Sequence, residues 1–351
     1  MTPEDRLLFA CARQVMLEEH KQTVLELNRQ YNLSWETVFS KAEQHGIAPL
    51  VYINLCQRND LDINIPKTTS ERYHMVLLRN TIAKERRAQK LVEVLAYFHE
   101  KSIDVLLFKG GVLDLLVYEN PALVATKDFD LILRQTRDSF TDSELMHLMD
   151  YLHRTSIEYD FYEHHDMSIN GALRIDFDQI WQDAKTIDYR GQPVYIMCPE
   201  DMFISLCINS CRKRFFQLKS MMDIAETLRV EQDIKWGLIV EKAIAYDCQN
   251  IVYTAILVTN LTLGCTLPED GIERLGVNKM RAALIKSAIS SLIRYTAIPG
   301  NLNIMTSINR RPVDFSLALP YLTYKGYQMR HKLFREVFSL SRLRDPASQS
   351  G

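Results

Sequence analysis

The sequence predicts an α+β protein, with a small β-sheet core near the middle of the chain and helical regions on both sides. Three observations carry that reading. Up to about residue 100, apolar side chains recur at helical spacing. From Ile103 to Ile196 the pattern changes to short apolar runs that end in turn residues. After Pro199 the helical spacing returns. The expected organisation is a helical region over 1–100, a core over 101–198, a helical domain over 199–343 and a disordered tail over 344–351. A chain of 351 residues suits two domains, at roughly 100–200 residues each.

Each element has a local reason. Thr2 suits a helix N-cap, Pro3 the first helical position, and Glu4 and Asp5 the first turn. Ser34 caps a second helix through Trp35, Val38 and Ala42, and Gly46-Ile47-Ala48-Pro49 breaks the pattern. Asp60 to Pro66 is a loop. The next helix carries Ala88, Leu91, Leu95 and Phe98 on one apolar face, and Lys84, Arg86, Arg87 and Lys90 read as its solvated side. Ile103 to Phe108 is a buried strand that leaves into the Lys109-Gly110-Gly111 turn. Val112 to Tyr118 forms a short helix, ended by Asn120-Pro121. Asp128 to Leu133 is a second strand, with Asp128 and Asp130 on one face and Phe129 and Leu131 on the other. A helix spans Ser143 to Arg154, Leu173 to Phe177 reads as a third strand, and Val194 to Ile196 as a last one. Pro199, Glu200 and Asp201 open a helix that closes on Arg212, Lys213 and Arg214, a charge order that complements the helix dipole. Leu218, Met221, Met222, Ala225 and Leu228 mark the next helix. Asp233 is the expected cap of another, with Trp236, Val240, Ala243 and Ile244 on its buried side. Gly264 and Pro268 close one more, and Pro299-Gly300 is a turn.

Composition narrows the function classes. Hydrophobic residues at 47% and charged residues at 25% are globular values, not those of a disordered chain. A formal net charge of −2 gives no basic field for coating nucleic acid. Glu4 and Asp5 sit where a signal peptide would carry positive charge, and no long apolar run follows, so a cytoplasmic location is expected. The stretch Cys248 to Pro268 is nearly uncharged, but its Asn, Gln and Thr content makes it a buried helix in preference to a membrane span. The seven cysteines are odd in number and form no Cys-x-x-Cys, so reduced, buried thiols are expected. Cys207 and Cys211 share a helix face, which alone is weak evidence for a metal.

One constellation carries chemistry: a strand, a Gly-Gly turn, a short helix, Asp-x-Asp on a strand, and a further acidic strand. A Gly-Gly turn lets backbone N–H groups approach phosphate oxygens without a Cβ in the way, and the helix that follows adds its N-terminal dipole. Two carboxylates spaced by two on a strand point the same way and can hold Mg²⁺, which prefers oxygen ligands. A third carboxylate from a neighbouring strand would complete a two-metal clamp, one ion activating the attacking hydroxyl and the other steadying the leaving pyrophosphate. The candidates are Gly110, Gly111, Asp128, Asp130 and Asp176, with Asp178 as the substitute for Asp176 on the same strand face. Lys109 could meet a phosphate as a point charge.

The stretch LLFKGGVLDLLVYENPALVATKDFDLIL, residues 106–133, resembles the bacterial nucleotidyltransferase family of the polymerase-β superfamily, whose members carry a Lys-Gly turn, a Tyr-x-x-Pro step and then Asp-x-Asp. RIDFD at 174–178 is similar to the family's next acidic strand. The run CPEDMFISLCINSCRKRFFQLKSMMDIAETL at 198–228 is similar to its helical segment opening with Pro-Glu-Asp. Trp236 and Leu267-Pro268 match later steps, so the likeness covers residues 35–270. The resemblance implies a nucleotidyltransferase-like mixed β-sheet core. It implies Gly110 and Gly111 as the nucleotide-phosphate turn, with Lys109 as the motif lysine. It implies Asp128 and Asp130 as Mg²⁺ ligands and Asp176 as the third metal-binding and catalytic carboxylate. Two positions depart from the pattern. The family's Arg before Asp-x-Asp is missing from Leu123-Val124-Ala125-Thr126-Lys127, where only Lys127 is basic, and Asp178 stands where the family often has His.

The expected activity is therefore transfer of a nucleotidyl group, AMP from ATP, to a hydroxyl acceptor with release of pyrophosphate. Mg²⁺ is the expected cofactor, and the acceptor is a small molecule, a protein side chain or an RNA end. Neither a membrane nor duplex nucleic acid is an expected partner. The alternative is a catalytically degenerate fold that binds nucleotide or serves as an adaptor, which the departures at Val124 and Asp178 favour. Three other groups have bland readings. His164-His165-Asp166 suits a surface or hydrogen-bonding role, because adjacent strand side chains diverge. Arg212-Lys213-Arg214 with Lys219 suits a helix end, against contact with a polyanion. Tyr321, Tyr324 and Tyr327, with Arg330 and Lys332 nearby, suit packing against helices, against stacking on a base.

Overall fold

A five-stranded mixed sheet forms the centre of an α+β fold, in the order β3-β2-β1-β5-β4. The computed structural model describes residues 2–294, apart from 58, 59, 127, 156, 170, 171, 214, 216, 266 and 268–270. Lys127, Arg214, Pro268, the Pro299-Gly300 turn, Tyr321, Tyr324, Tyr327, Arg330, Lys332 and the expected tail fall outside those residues.

The N-terminal helices are α1 (Pro3–Cys11), α2 (Glu18–Gln30), α3 (Trp35–Gln44), α4 (Ala48–Cys56) and α5 (Lys67–Glu100). Thr2 and Asp5 form a capping box on α1, and the Ser34 hydroxyl accepts the Thr37 N–H at the start of α3. Gly46, with φ +73°, makes the break between α3 and α4. The 34 residues of α5 run roughly 50 Å, and Ala88, Leu91, Leu95 and Phe98 are its buried stripe. Then come β1 (Val105–Phe108), α6 (Gly110–Leu116), β2 (Asp130–Leu133), α7 (Asp142–His153) and β3 (Glu158–Phe161). They are followed by α8 (His165–Ser168), α9 (Phe177–Asp183), β4 (Lys185–Tyr189) and β5 (Gln192–Ile196). The remaining helices are α10 (Pro199–Arg212), α11 (Leu218–Val230), α12 (Trp236–Ala245), α13 (Gln249–Leu263) and α14 (Lys279–Arg294). Among the described residues, no helix is long and apolar enough to cross a membrane. The seven cysteines are free thiols.

β1 lies between β2, antiparallel, and β5, parallel, so its four residues are buried on both faces. The register sorts the side chains. Phe108, Asp130 and Glu158 lie across from one another, and Leu106, Ile132 and Asp160 form the next row of the same face. Leu107 and Leu131 belong to the opposite face, which α6 covers. On the carboxylate face, Trp181 of α9 packs edge-on against Tyr195, and its Nε1 donates to the Tyr162 carbonyl.

Three expectations are corrected. Leu173 to Phe177 is not a strand: Asp176 accepts the Gln179 N–H at 2.9 Å and caps α9, so Phe177 is already helical. The strands that complete the sheet are β3 and β4. β4 and β5 form a hairpin through Arg190 and Gly191, both at positive φ, as a two-residue turn with the twist of the strands requires. Asp233 does not cap α12. Lys235 holds that place, with its N–H on the Glu200 carboxylate at 2.9 Å, and Ile244 faces solvent.

Gly111 is fixed by packing. A Cβ there would lie 2.7 Å from Leu107 Cδ1 and 3.1 Å from Phe129 Cδ1, both on buried side chains. Gly111→Ala should push α6 off the sheet and destabilise the fold by about 1–3 kcal/mol, read as a lower urea midpoint at unchanged m-value.

Candidate active site

The site grows from the end of β1. The chain leaves Phe108 through Lys109 at φ +48° and ψ −120°, the first central position of a type II′ turn, which normally calls for glycine. Val112 and Leu113 donate back to the Lys109 carbonyl, closing the first turn of α6. The N–H groups of Gly110 and Gly111 have no protein acceptor among the described residues. Gly110 faces Thr126, whose Cγ2 would lie 2.9 Å from a Cβ.

Asp130 opens β2 directly across from Phe108 and is only 8% exposed. Lys109 Nζ lies 3.3 Å from its Oδ1, and His164 Nε2 lies 3.8 Å from the same oxygen. Burial alone pushes the Asp130 carboxyl up, but His164 and Lys109 outweigh it and hold its pKa below the ordinary carboxylate value. His164 is buried, packs tilted against the Phe108 ring with the centroids 4.7 Å apart and turns its Nδ1 to 3.7 Å from Asp160. Both of its carboxylate distances exceed a hydrogen bond. Asp128, two residues before Asp130, is half-buried and within electrostatic reach of Lys213. Asp176 sits at the start of α9, with its carboxylate on the Gln179 N–H. Asp178 accepts the Tyr162 hydroxyl.

The structure thus brings Lys109 onto Asp130, sets Gly110 and Gly111 at the start of α6, leaves Asp128 two residues ahead of Asp130 and outside β2, and gives Asp176 a capping role. It adds His164, Asp160 and Glu158, which the sequence reading missed. His164 is drawn into the site and is not a surface residue. The signal for them was the alternation Glu158-Tyr159-Asp160-Phe161, polar and aromatic by turns, which is the mark of a half-buried edge strand.

The approach to Asp128 is held from three sides. Asn80 of α5 donates to the carbonyls of Ala122 and Val124. The Gly46 carbonyl accepts the Ala125 N–H at 3.0 Å, and His45 accepts the backbone N–H groups of Leu218 and Lys219. A cleft of about 630 Å³ lies between α4, α5 and residues 125–126; it borders the site through Thr126, and Asp130 is not part of it.

A family model described as an uncharacterised nucleotidyltransferase matches residues 31–264. The chain belongs to that family. No curated protein and no solved structure matches it. Nucleotidyl transfer is the class of chemistry the family names, and the match spans the helices before the sheet as well as those after it.

Tyr118, the tyrosine of the Tyr-x-x-Pro step, is a structural tie, and so are Gln14 and Lys84. The Tyr118 hydroxyl donates to Asp223 of α11, whose other oxygen is 2.7 Å from Lys219 Nζ. Gln14 donates to the Val117 carbonyl at 3.0 Å and to Glu226 at 2.9 Å. Lys84 is not on a solvated face: it is buried against Asp114 of α6 at 2.5 Å, where desolvation pulls its pKa down to about 8. The helix that begins with Lys109 is therefore gripped by α5 on one side and α11 on the other.

The Pro-Glu-Asp step has a similar explanation. Asp183, Cys198 and Asp201 converge as a metal site might. Lys242 Nζ fills that place, 2.9 Å from Asp183 and 2.5 Å from Asp201, and Tyr246 donates to Asp201 at 3.1 Å. Burial pushes the Cys198 thiol up to about 12, so it stays protonated at neutral pH. Burial draws the Lys242 ammonium down, yet Asp201 and Asp183 outweigh it and raise its pKa above the ordinary 10.5. Lys242→Met leaves the fully buried Asp201 carboxylate without a cation and should cost about 3–5 kcal/mol in urea unfolding at pH 7. Because the folded pKa is the higher one, the stabilisation is complete below the unfolded value of 10.5 and is lost as pH rises through the folded value. That alkaline loss should be seen in the wild type and be missing from the variant.

Proposed function

We propose that the protein is a Mg²⁺-dependent nucleotidyltransferase of the polymerase-β type, moving the nucleotidyl group of a nucleoside triphosphate, AMP from ATP, to a hydroxyl acceptor with release of pyrophosphate. The observation that carries it is Asp130: a buried carboxylate held ionised on a strand, two residues from Asp128 and beside the Lys109 turn.

The donor set fits the metal, because Asp128 and Asp130 offer carboxylate oxygens and the surroundings of Asp130 favour its charged form. When bound there, Mg²⁺ supplies Lewis-acid stabilisation of the phosphoryl oxygens and favours deprotonation of the acceptor hydroxyl. The chain's own residues do the rest. Lys109 brings a positive charge to the phosphates, with the N–H groups of Gly110 and Gly111 next to it. His164 lies between Asp130 and Asp160, 3.8 Å from the one and 3.7 Å from the other, where it adds a polar ring beside both carboxylates. The acceptor oxygen bonds to the α-phosphorus, the bond to the bridging oxygen breaks, pyrophosphate leaves, and the acceptor proton passes to a third carboxylate. Two residues claim that place. Asp176 is the one the family resemblance gives, and Asp160 shares the sheet face of Asp130 one row away. The acceptor is a small molecule, a protein side chain or an RNA end.

A second reading, nucleotide binding without turnover, is favoured by one observation: Asp176 is engaged as the cap of α9. Thermal melting with ATP, GTP, CTP and UTP, each with and without Mg²⁺, tests the binding that both readings need. One nucleotide should stabilise the protein in a Mg²⁺-dependent way, by about 2.7 kcal/mol at a hundred times its Kd, and Asp128→Asn/Asp130→Asn should abolish the effect. No shift with any nucleotide overturns both. Pyrophosphate release then separates them: catalysis predicts release that falls by orders of magnitude in either Asp160→Asn or Asp176→Asn, and the variant that falls names the third carboxylate.

A further inference from the structure

The cleft between α4, α5 and residues 125–126 holds about 630 Å³. That suits one small molecule, since ordinary ligand pockets run from roughly 300 to 1,000 Å³. Ala48, Pro49, Val76 and Ala83 give it apolar walls. Its rim is charged. Arg79 and Arg87 stand four residues either side of Ala83 on one face of α5, and the small alanine leaves room between them. Arg79 gives its Nε to the Met75 carbonyl at 3.4 Å. Arg87 is half-buried, not on the solvated side expected of it, and has no hydrogen-bond or ion-pair partner among the described residues. Glu43 is the one carboxylate among the described lining residues. Two guanidinium groups against one carboxylate, beside apolar walls, suit an anionic group.

The wall nearest the site is built into place. Asn80 donates to the Ala122 and Val124 carbonyls, and the Gly46 carbonyl accepts the Ala125 N–H at 3.0 Å. Thr126 ends that wall. Its Cγ2 would lie 2.9 Å from a Cβ on Gly110, so the cleft and the Lys109-Gly110 turn share one side chain. Its Oγ1 is buried with no hydrogen-bond partner among the described residues, an unfavourable state until a polar group meets it. Asp128 follows two residues later, so a molecule seated in the cleft ends against the stretch that carries Asp128 and Asp130. No aromatic ring stands among the described lining residues, so the cleft lacks the stacking platform that a base would use.

We propose that this cleft binds the acceptor, and that the acceptor is a small hydroxylated molecule carrying a carboxylate or a phosphate. Arg87 meets the anionic group, with Arg79 beside it, and the hydroxyl points past Thr126 toward Asp128. The inference rests on the nucleotidyltransferase reading above and selects the small molecule from the acceptor classes named there. The hydroxyl proton passes to the third carboxylate, the oxygen bonds to the α-phosphorus, pyrophosphate leaves, and the anionic group is unchanged. The mixed charge of the rim disfavours an RNA end, whose successive phosphates ask for a continuous basic track.

The test is calorimetric titration of glycerate, gluconate, α-glycerophosphate and glucose 6-phosphate, with glycerol and glucose as neutral counterparts. The proteins are wild type, Arg87→Met, Arg87→Lys, Glu43→Gln and Arg86→Met, the last at an exposed position outside the cleft. At least one anion should bind where its neutral counterpart does not. Arg87→Met should weaken that anion about ten- to hundredfold, Arg87→Lys should restore part of the loss, and Arg86→Met should change nothing. Glu43→Gln should tighten it, a gain that a damaged fold would not give. Carboxylates binding in preference to phosphates, or the reverse, identifies the anionic group. Binding of none of the anions, equal binding of the neutral compounds, or equal affinity in wild type and Arg87→Met overturns the inference. So does an oligoribonucleotide that binds through Arg87 where the small anions do not. Melting of the same proteins with ATP, GTP, CTP and UTP in Mg²⁺ separates the two readings. A nucleotide shift without anion binding overturns this inference alone. A nucleotide shift that Arg87→Met abolishes makes the cleft a nucleotide subsite and overturns the acceptor assignment. No shift in the wild type overturns the nucleotidyltransferase reading and the acceptor role with it.

Discussion

A carboxylate carried into a protein interior must find a cation or strong donors there, and that constraint organises this fold. Asp5 meets Lys41, Asp114 meets Lys84, Asp130 meets Lys109, Asp201 meets Lys242 and Asp223 meets Lys219. Most of these pairs join elements far apart in sequence. Lys84 ties the long α5 to α6, Lys242 ties α12 to α10, and Tyr118 brings the segment after α6 onto the Asp223 pair of α11. Each tie is expensive to break from one side, because the partner is left charged in a dry place. The short helix that starts at Lys109 is consequently located by charge as well as by the close packing of Gly111 on the sheet.

What the sequence made legible follows from the range of the signals it carries. Caps, proline positions and apolar stripes act over three or four residues, and Thr2, Ser34, Pro199 and the α5 stripe stand where those rules put them. β1 and β2 were legible because a strand buried on both faces is a continuous apolar run. The edge strands were not. β3 alternates polar and aromatic residues, and β4 is exposed along most of its length, so neither has the apolar run that marks a central strand. Leu173 to Phe177 does have such a pattern, but the Asp176 carboxylate captures the Gln179 N–H and starts a helix.

The candidate site was legible to the same degree. Lys109, Gly110, Gly111, Asp128 and Asp130 lie in one stretch of 22 residues, so their order alone links them. His164 and Asp160 reach Asp130 only because β3 pairs in parallel with β2, a register fixed by tertiary contacts. Lys84 was misread for the same reason: on a helical wheel it lies among arginines, and only the arrival of Asp114 from α6 makes it a buried residue. Charge partners across elements are the part of a fold that periodicity does not encode.

One pair differs from the rest in its geometry. The four structural pairs close to between 2.5 and 2.7 Å. Lys109 and Asp130 stand 3.3 Å apart, with His164 at 3.8 Å on the same oxygen. Lys109 also takes a backbone conformation that ordinarily requires glycine, a strain of about 1–3 kcal/mol. A purely structural pair gains nothing from such a turn or from so loose a contact. A lysine whose ammonium must trade one anionic partner for another gains from both: the strained turn fixes where the head group starts, and the loose contact lowers what must be given up when phosphate arrives. On the function proposed above, Lys109 would exchange Asp130 for a phosphate while the sheet keeps Asp130 in place.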